Sequence, residues 1–134
     1  MYFLDSSIII ETLKGNKTAI LIWDKIKEKK KLILFINEVV YSETIYQLCI
    51  KKNFSLEKIY FLLKNSTYFL KINEIIIENS ITYIKKFNLR PHDAFIISTC
   101  KFYEIPNIIS LDKDFIKPCN MERIKLINSN KLIT

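Results

Sequence analysis

The sequence predicts an α/β domain in which a mostly parallel sheet of four or five short strands is covered by helices on both faces. Three observations predict it. Short apolar runs such as Tyr2-Phe3-Leu4, Leu32 to Ile36 and Ile108-Ile109 read as strands buried on both sides. Longer segments between them carry apolar residues at helical spacing. Strands and helices alternate along the chain, which is the order that builds parallel sheets. With 134 residues and no repeat, low-complexity stretch or Pro/Gly/Ser linker, residues 1–134 are expected to form one domain with a proper core.

Taken in order, Tyr2-Phe3-Leu4 is the first strand and ends in Asp5. Ser6-Ser7 offers an N-cap for a helix over Ile8 to Leu13, and Gly15-Asn16 breaks it. Thr18 to Lys30 is helical, with Ile20, Leu21, Trp23 and Ile26 as its apolar set. Leu32 to Ile36 is the second strand, and Asn37 caps a helix from Glu38 to Ile50. Ser55 caps the next helix, with Ile59, Leu62 and Leu63 facing inward. Tyr68 to Ile72 is the third strand. Ile75 to Phe87 is a helix that must end before Pro91, because the residue preceding proline avoids the helical region. His92 to Tyr103 is helical, Asn107 to Ser110 is the fourth strand, and Arg123 to Ile127 closes the domain.

Composition narrows the function. Lys and Arg outnumber Asp and Glu by 21 to 14, a net charge of +7 spread along the chain, which suits a polyanionic partner without requiring one. The single glycine, Gly15, leaves no Gly-rich phosphate loop, so nucleotide-binding fingerprints are excluded. Cys49, Cys100 and Cys119 are odd in number and far apart, suggesting neither zinc ligation nor a disulfide framework but free thiols in a reducing cytoplasm. The N-terminus carries Asp5 and Glu11 and lacks a basic leader, so no signal peptide is expected. No apolar run reaches the roughly 18 to 20 residues that cross a bilayer, and a cytoplasmic protein is expected.

The informative feature is the placement of acids. Asp5 follows the first strand and Asp112 follows the fourth, so both project from the carboxyl edge of a parallel sheet, where such folds bind ligands. Asp93 lies in the first turn after Pro91, Glu43 about one turn into the helix after the second strand, and Asp114 two residues beyond Asp112. Each acid has a plainer reading alone. Asp93 suits a helix dipole, Asp5 a turn, Asp112 or Asp114 a short cap, and Glu43 a pairing with Lys51 or Lys52. None of these readings predicts the whole set at strand ends.

Carboxylates gathered in one cleft repel one another, at about 4 kcal/mol per pair 4 Å apart in an effective dielectric near 20. A divalent cation removes the conflict. Hard oxygen ligands suit Mg²⁺ or Mn²⁺, which also take phosphate oxygens and activate water for phosphodiester hydrolysis. An acidic metal pocket in a basic protein is the pairing such hydrolysis needs.

Four motifs now carry a resemblance: Tyr-Phe-Leu-Asp-Ser-Ser-Ile-Ile-Ile-Glu at 2–11, Asn-Glu-Val-Val-Tyr-Ser-Glu at 37–43, Arg-Pro-His-Asp-Ala-Phe-Ile-Ile-Ser-Thr-Cys at 90–100, and Ile-Ser-Leu-Asp-Lys-Asp-Phe at 109–115. In this order and spacing they resemble PIN domains, in the compact VapC-like branch. The resemblance implies a three-layer α/β/α, Rossmann-like sandwich and a Mg²⁺ or Mn²⁺ site in a ribonuclease. It maps the acidic quartet to Asp5, Glu43, Asp93 and Asp112, leaving Asp114 as an alternative fourth acid, with Ser6 and Ser110 in support. It further implies a dimeric toxin that cuts RNA and is silenced by a VapB-like antitoxin.

His92 beside Asp93 invites a general-base reading, which a metal-activated water makes unnecessary. Arg90 and Lys113 are candidates for phosphate contacts. Trp23, Tyr60, Phe61, Tyr68 and Phe69 are expected in the core or a dimer interface rather than as an RNA-stacking platform. Two further classes are distinguishable: a non-catalytic PIN-fold module that binds RNA or protein, and a DNA nuclease or phosphatase. Against an aspartyl-phosphate enzyme, the position two residues after Asp5 is Ser7.

Overall fold

A computed structural model describes residues 1–134. The elements run β1 (Tyr2–Leu4), α1 (Ser6–Leu13), α2 (Lys17–Glu28), β2 (Leu34–Asn37), α3 (Glu38–Ile45), α4 (Leu56–Ser66), β3 (Tyr68–Leu70), α5 (Glu74–Phe87), α6 (Pro91–Phe102), β4 (Asn107–Ile109), α7 (Ile116–Met121) and β5 (Lys125–Ile127). All five strands are parallel, in the order β3-β2-β1-β4-β5. The chain therefore walks outward from β1 through β2 to β3, then returns to β1's other side for β4 and β5. Right-handed crossovers put the helices of these two walks on opposite faces. The contacts agree: α1 touches α2 and α3, and α3 touches α4, while α5 touches α6 and α7. This is the expected three-layer sandwich.

The core follows from the apolar runs. Phe3, Leu4, Ile36, Ile108 and Ile109 are fully or almost fully buried in the middle strands, meeting Ile8, Ile9, Ile22 and Val40 from one layer and Ile97 and Cys100 from the other. Helix α6 is buried on nearly every side from Asp93 to Cys100, which is why its sequence shows no clean polar stripe. No helix is long and apolar enough to cross a membrane.

Several boundaries differ from the sequence reading. Helix α1 starts at Ser6, not Ile8; Asp5 takes the N-cap position, and neither serine caps it. The predicted helix from Glu38 to Ile50 changes hydrogen-bond period midway: α3 ends at Ile45 and Tyr46–Ile50 is a π-helical turn. Helix α7 is an addition; its six residues include Pro118, too short and irregular to show a period. Strand β5 begins only at Lys125, because Arg123 adopts a left-handed backbone (φ 58°) that ends the preceding turn. Of the aromatic residues expected in the core or a dimer interface, only one belongs to the core. Trp23 packs against the core, but Tyr60, Phe61, Tyr68 and Phe69 are 44–66% exposed at the β3 edge. Tyr41, half-buried, bridges them, its ring 6.3 Å from Tyr60 and 5.8 Å from Phe69.

Candidate active site

Strand order reverses between β1 and β4, and at such a switch the connections leave to opposite faces and open a crevice at the strands' carboxyl ends. Asp5 and Asp112 leave β1 and β4 at that point. The Asp5 amide still donates to the Ile109 carbonyl at 3.0 Å, so Asp5 is held in register with the end of β4. The crevice has a volume of about 680 Å³ and is lined by Asp5, Glu43, Asp93 and Asp112, among others. The four acids placed first by the sequence therefore meet.

Asp5 is 6% exposed. The Ser110 hydroxyl donates to its Oδ2 at 2.6 Å, and Ser110 Oγ in turn accepts the Asp112 amide at 3.0 Å. Ser7 Oγ lies 3.3 Å from Ser110 Oγ and accepts the Leu111 amide at 3.1 Å. One short network thus fixes both strand ends. Burial pushes the Asp5 carboxyl above its ordinary range; hydrogen bonds from Ser110 and Ser7 oppose this, and the Asp112 charge adds to it. Of the two serines read as supporting residues, Ser110 bonds Asp5 through its hydroxyl. Ser6 reaches Asp5 only through its backbone N–H, and the other hydroxyl in the network belongs to Ser7. Two adjacent serines in a first turn give no pattern that tells which faces inward.

Asp93, 4% exposed in the first turn of α6, is pushed up to about 6. Burial is the main cause; the Asp112 and Asp5 charges add to it, and Arg90 opposes it. Asp112 serves two ends at once. Its Oδ1 accepts the Asp114 amide at 2.9 Å, capping the short turn Lys113–Phe115, and its Oδ2 accepts from Arg90 Nη2 at 3.2 Å. Asp112 thus caps a turn and also lines the cleft. Asp114 is exposed and outside the cleft lining, yet carboxylate oxygens of Asp93, Asp112 and Asp114 lie within 4.8 Å of one another.

Glu43 sits on the opposite wall, half-buried. Its Oε1 accepts from Gln47 Nε2 at 3.4 Å and its Oε2 lies 3.9 Å from His92 Nδ1; no lysine pairs with it. The wall is anchored by a residue read only as a cap. Asn37, fully buried, accepts the Val40 amide at 3.1 Å and donates from Nδ2 to Thr99 Oγ1 at 3.0 Å. That bond ties the helix carrying Glu43 to the helix carrying Asp93. Glu38, a further acid at a strand end, stays outside the cleft: its carboxylate accepts the Ile72 amide at 2.9 and 3.1 Å. Arg90 and His92 line the cleft beside the acids, whereas Lys113 is exposed beyond its lining.

The donor set fits a hard divalent cation. Every convergent group is a carboxylate, two of them are raised by burial and mutual repulsion, and only Arg90 offsets their charge at bonding distance.

Fold and cleft together define a parallel α/β domain with an acidic centre at its topological switch point. The chain belongs to the PIN-domain family, whose model matches residues 2–120. It is 34% identical to the ribonuclease VapC2 of Methanocaldococcus jannaschii, in an alignment covering 92% of this chain and 93% of that protein. Among solved structures, it superposes on VapC20 of Mycobacterium tuberculosis, described as a toxin cleaving the sarcin–ricin loop, with a TM-score of 0.72 at 16% identity, covering 88% of this chain and 95% of that one. It also matches a chain of a toxin–antitoxin complex from Klebsiella pneumoniae with a TM-score of 0.69 at 20% identity, covering 87% and 91%. At these identities the two structures speak for the fold alone.

Proposed function

We propose that this chain is one PIN domain acting in the cytoplasm as a Mg²⁺- or Mn²⁺-dependent endoribonuclease, the toxin half of a toxin–antitoxin pair. The observation that carries this reading is the meeting of Asp5, Glu43, Asp93 and Asp112, from four distant segments, in one cleft. A repulsive cluster of this kind, left uncompensated, weakens the fold, so it calls for a ligand. The ribonuclease name of the archaeal relative, similar over nearly the whole length, points the same way.

Asp5, Asp93 and Asp112 would hold the cation, with Asp114 at its outer side. When bound, the cation neutralises the carboxylates, lowers the proton affinity of a water and stabilises the leaving oxygen. Ser110 keeps Asp5 from rotating, so the ligand geometry is set before substrate arrives. Glu43, which lines the same cleft and is more exposed than Asp5 or Asp93, would orient the attacking water and take its proton at Oε2. Arg90, and more peripherally Lys113, would contact phosphates. Partners follow from the same reading: an RNA substrate, a VapB-like antitoxin as the Klebsiella complex suggests, and a second copy of the chain.

Purified protein with Mg²⁺, offered matched RNA and DNA oligonucleotides, is expected to cut RNA. Asp5→Asn and Asp93→Asn should each abolish cutting. Equal cutting by either variant and the parent would refute the reading.

A further inference from the structure

We propose that Arg90 is an exchangeable counter-ion: it neutralises the carboxylates when no metal is bound, is displaced by the cation, and then binds the RNA phosphate. This deepens the ribonuclease reading and rests on it.

The guanidinium bridges two acids and is locked to neither. Nη2 donates to Asp112 Oδ2 at 3.2 Å, while Nη2 and Nε both lie 3.5 Å from Asp93 Oδ2. Arginine bound to keep a carboxylate uses two parallel bonds to one group, at roughly 2.7–2.9 Å. These contacts are longer and divided, which suits a partner that can be exchanged.

Its position gives the exchange a direction. The Arg90 side chain is 71% exposed, against 6% for Asp93 and 23% for Asp112, so it covers the carboxylates from the solvent side. A polyanion reaching the cleft meets Arg90 first. Its backbone cannot follow a large movement: Arg90 is extended (φ −64°, ψ 149°) at the N-cap position of α6, with Pro91 fixed next to it. Only the side chain can swing, and it stays within one side-chain length of the cleft.

Charge decides which state holds. Three carboxylates with oxygens inside 4.8 Å are too many for one guanidinium. A divalent cation brings twice the charge into the same space and repels the guanidinium it replaces. The freed fork points at solvent beside the metal, where a phosphodiester completes its bidentate pairing. One residue thus protects the empty site and recruits substrate to the filled one.

The test is calorimetric titration of Mn²⁺ into the full-length parent, Arg90→Gln and Arg90→Lys, with RNA cleavage measured alongside. Removing the competing charge should tighten Mn²⁺ binding to Arg90→Gln by up to about fivefold, the range of exposed ion pairs. The same variant should lose about tenfold or more in kcat/KM, chiefly through KM. Arg90→Lys, which keeps the charge and loses the fork, should bind Mn²⁺ like the parent yet cleave poorly. Unchanged or weaker Mn²⁺ binding by Arg90→Gln overturns the exchange, as does parental cleavage by that variant. A parent that shows no saturable Mn²⁺ binding and no RNA cleavage overturns the ribonuclease reading itself, and the exchange with it.

Discussion

Asp93→Asn should make the metal-free protein more stable while destroying its response to metal. The Asp93 carboxyl is pushed from an ordinary value of 3.8 up to about 6, chiefly by burial and then by the Asp112 charge. A folded state that holds its proton roughly a hundredfold more tightly than the unfolded chain is penalised by about 3 kcal/mol once that proton is gone, at 1.36 kcal/mol per decade. The sign follows from the raised value. Below about pH 3 both states are protonated and there is no penalty; it grows as pH rises past 3.8 and is nearly complete above about pH 6.5. Asparagine keeps the shape and can still accept from Arg90, but carries no charge. Near pH 7.5, in chelator, the variant should gain about 1–3 kcal/mol, which for a domain of this size is roughly 3–10 °C in Tm. Near pH 3 the two proteins should melt together. Millimolar Mg²⁺ should raise the parent's Tm by mass action and leave the variant's nearly unchanged. Differential scanning fluorimetry over this pH range, with and without Mg²⁺, reads all of it. A variant that melts below the parent in chelator at pH 7.5, or gains as much from Mg²⁺, would refute the picture of a repulsive cluster relieved by a cation.

Ser110→Ala leaves the Asp5 carboxylate and the Asp112 amide without their shared partner; it should cost about 1–3 kcal/mol in urea unfolding and weaken Mn²⁺ binding in calorimetry. Ser7→Ala, at the network's longer bond, should show the same direction with a smaller size. Asn37→Ala removes both the α3 cap and the donor to Thr99 from a fully buried site, and should destabilise by about 2–4 kcal/mol; a change under about 0.5 kcal/mol would remove the tie between the two helices. Burial raises the Cys100 thiol well above its ordinary range and pushes Cys119 up to about 12, so a thiol reagent near pH 8 should label only Cys49 in the native protein and all three in denaturant. Rapid native labelling of Cys100 would show that α6 opens more readily than its packing implies.

The fold was legible because both-face burial leaves unbroken apolar runs at β1, β2 and β4, and because Asn16, Asn37, Ser55 and Asn73 stand at helix starts as working caps. Three of these were read from sequence as breaks or caps. Boundaries were less legible. The π-helical turn at Tyr46–Ile50 preserves an apolar face that a continuous helix would also show. Asp5 and Asp112 were visible because strand ends in a parallel sheet share one edge, whereas Glu43 and Asp93 lie within helices and joined the quartet through the motif resemblance. What stayed hidden were contacts decided by rotamer and packing. Ser7 and Ser6 are alike in sequence, and only one turns toward Ser110. Nothing near Asn37 marks Thr99, 62 residues away, as its partner. The sequence left the aromatic residues around Tyr41 between core and interface because aromaticity reports area, not where that area lies.

The hydrogen bond from Ser110 to Asp5 spans 105 residues of chain. Synthesis proceeds from the first strand, so Asp5 leaves the ribosome long before β4 exists to dock beside it. Through most of translation the acids are strung along an unfinished polypeptide with no cleft between them. The cleft forms at once and late, when β4 inserts next to β1. If the proposed ribonuclease reading holds, that timing would separate the making of the protein from the onset of its chemistry.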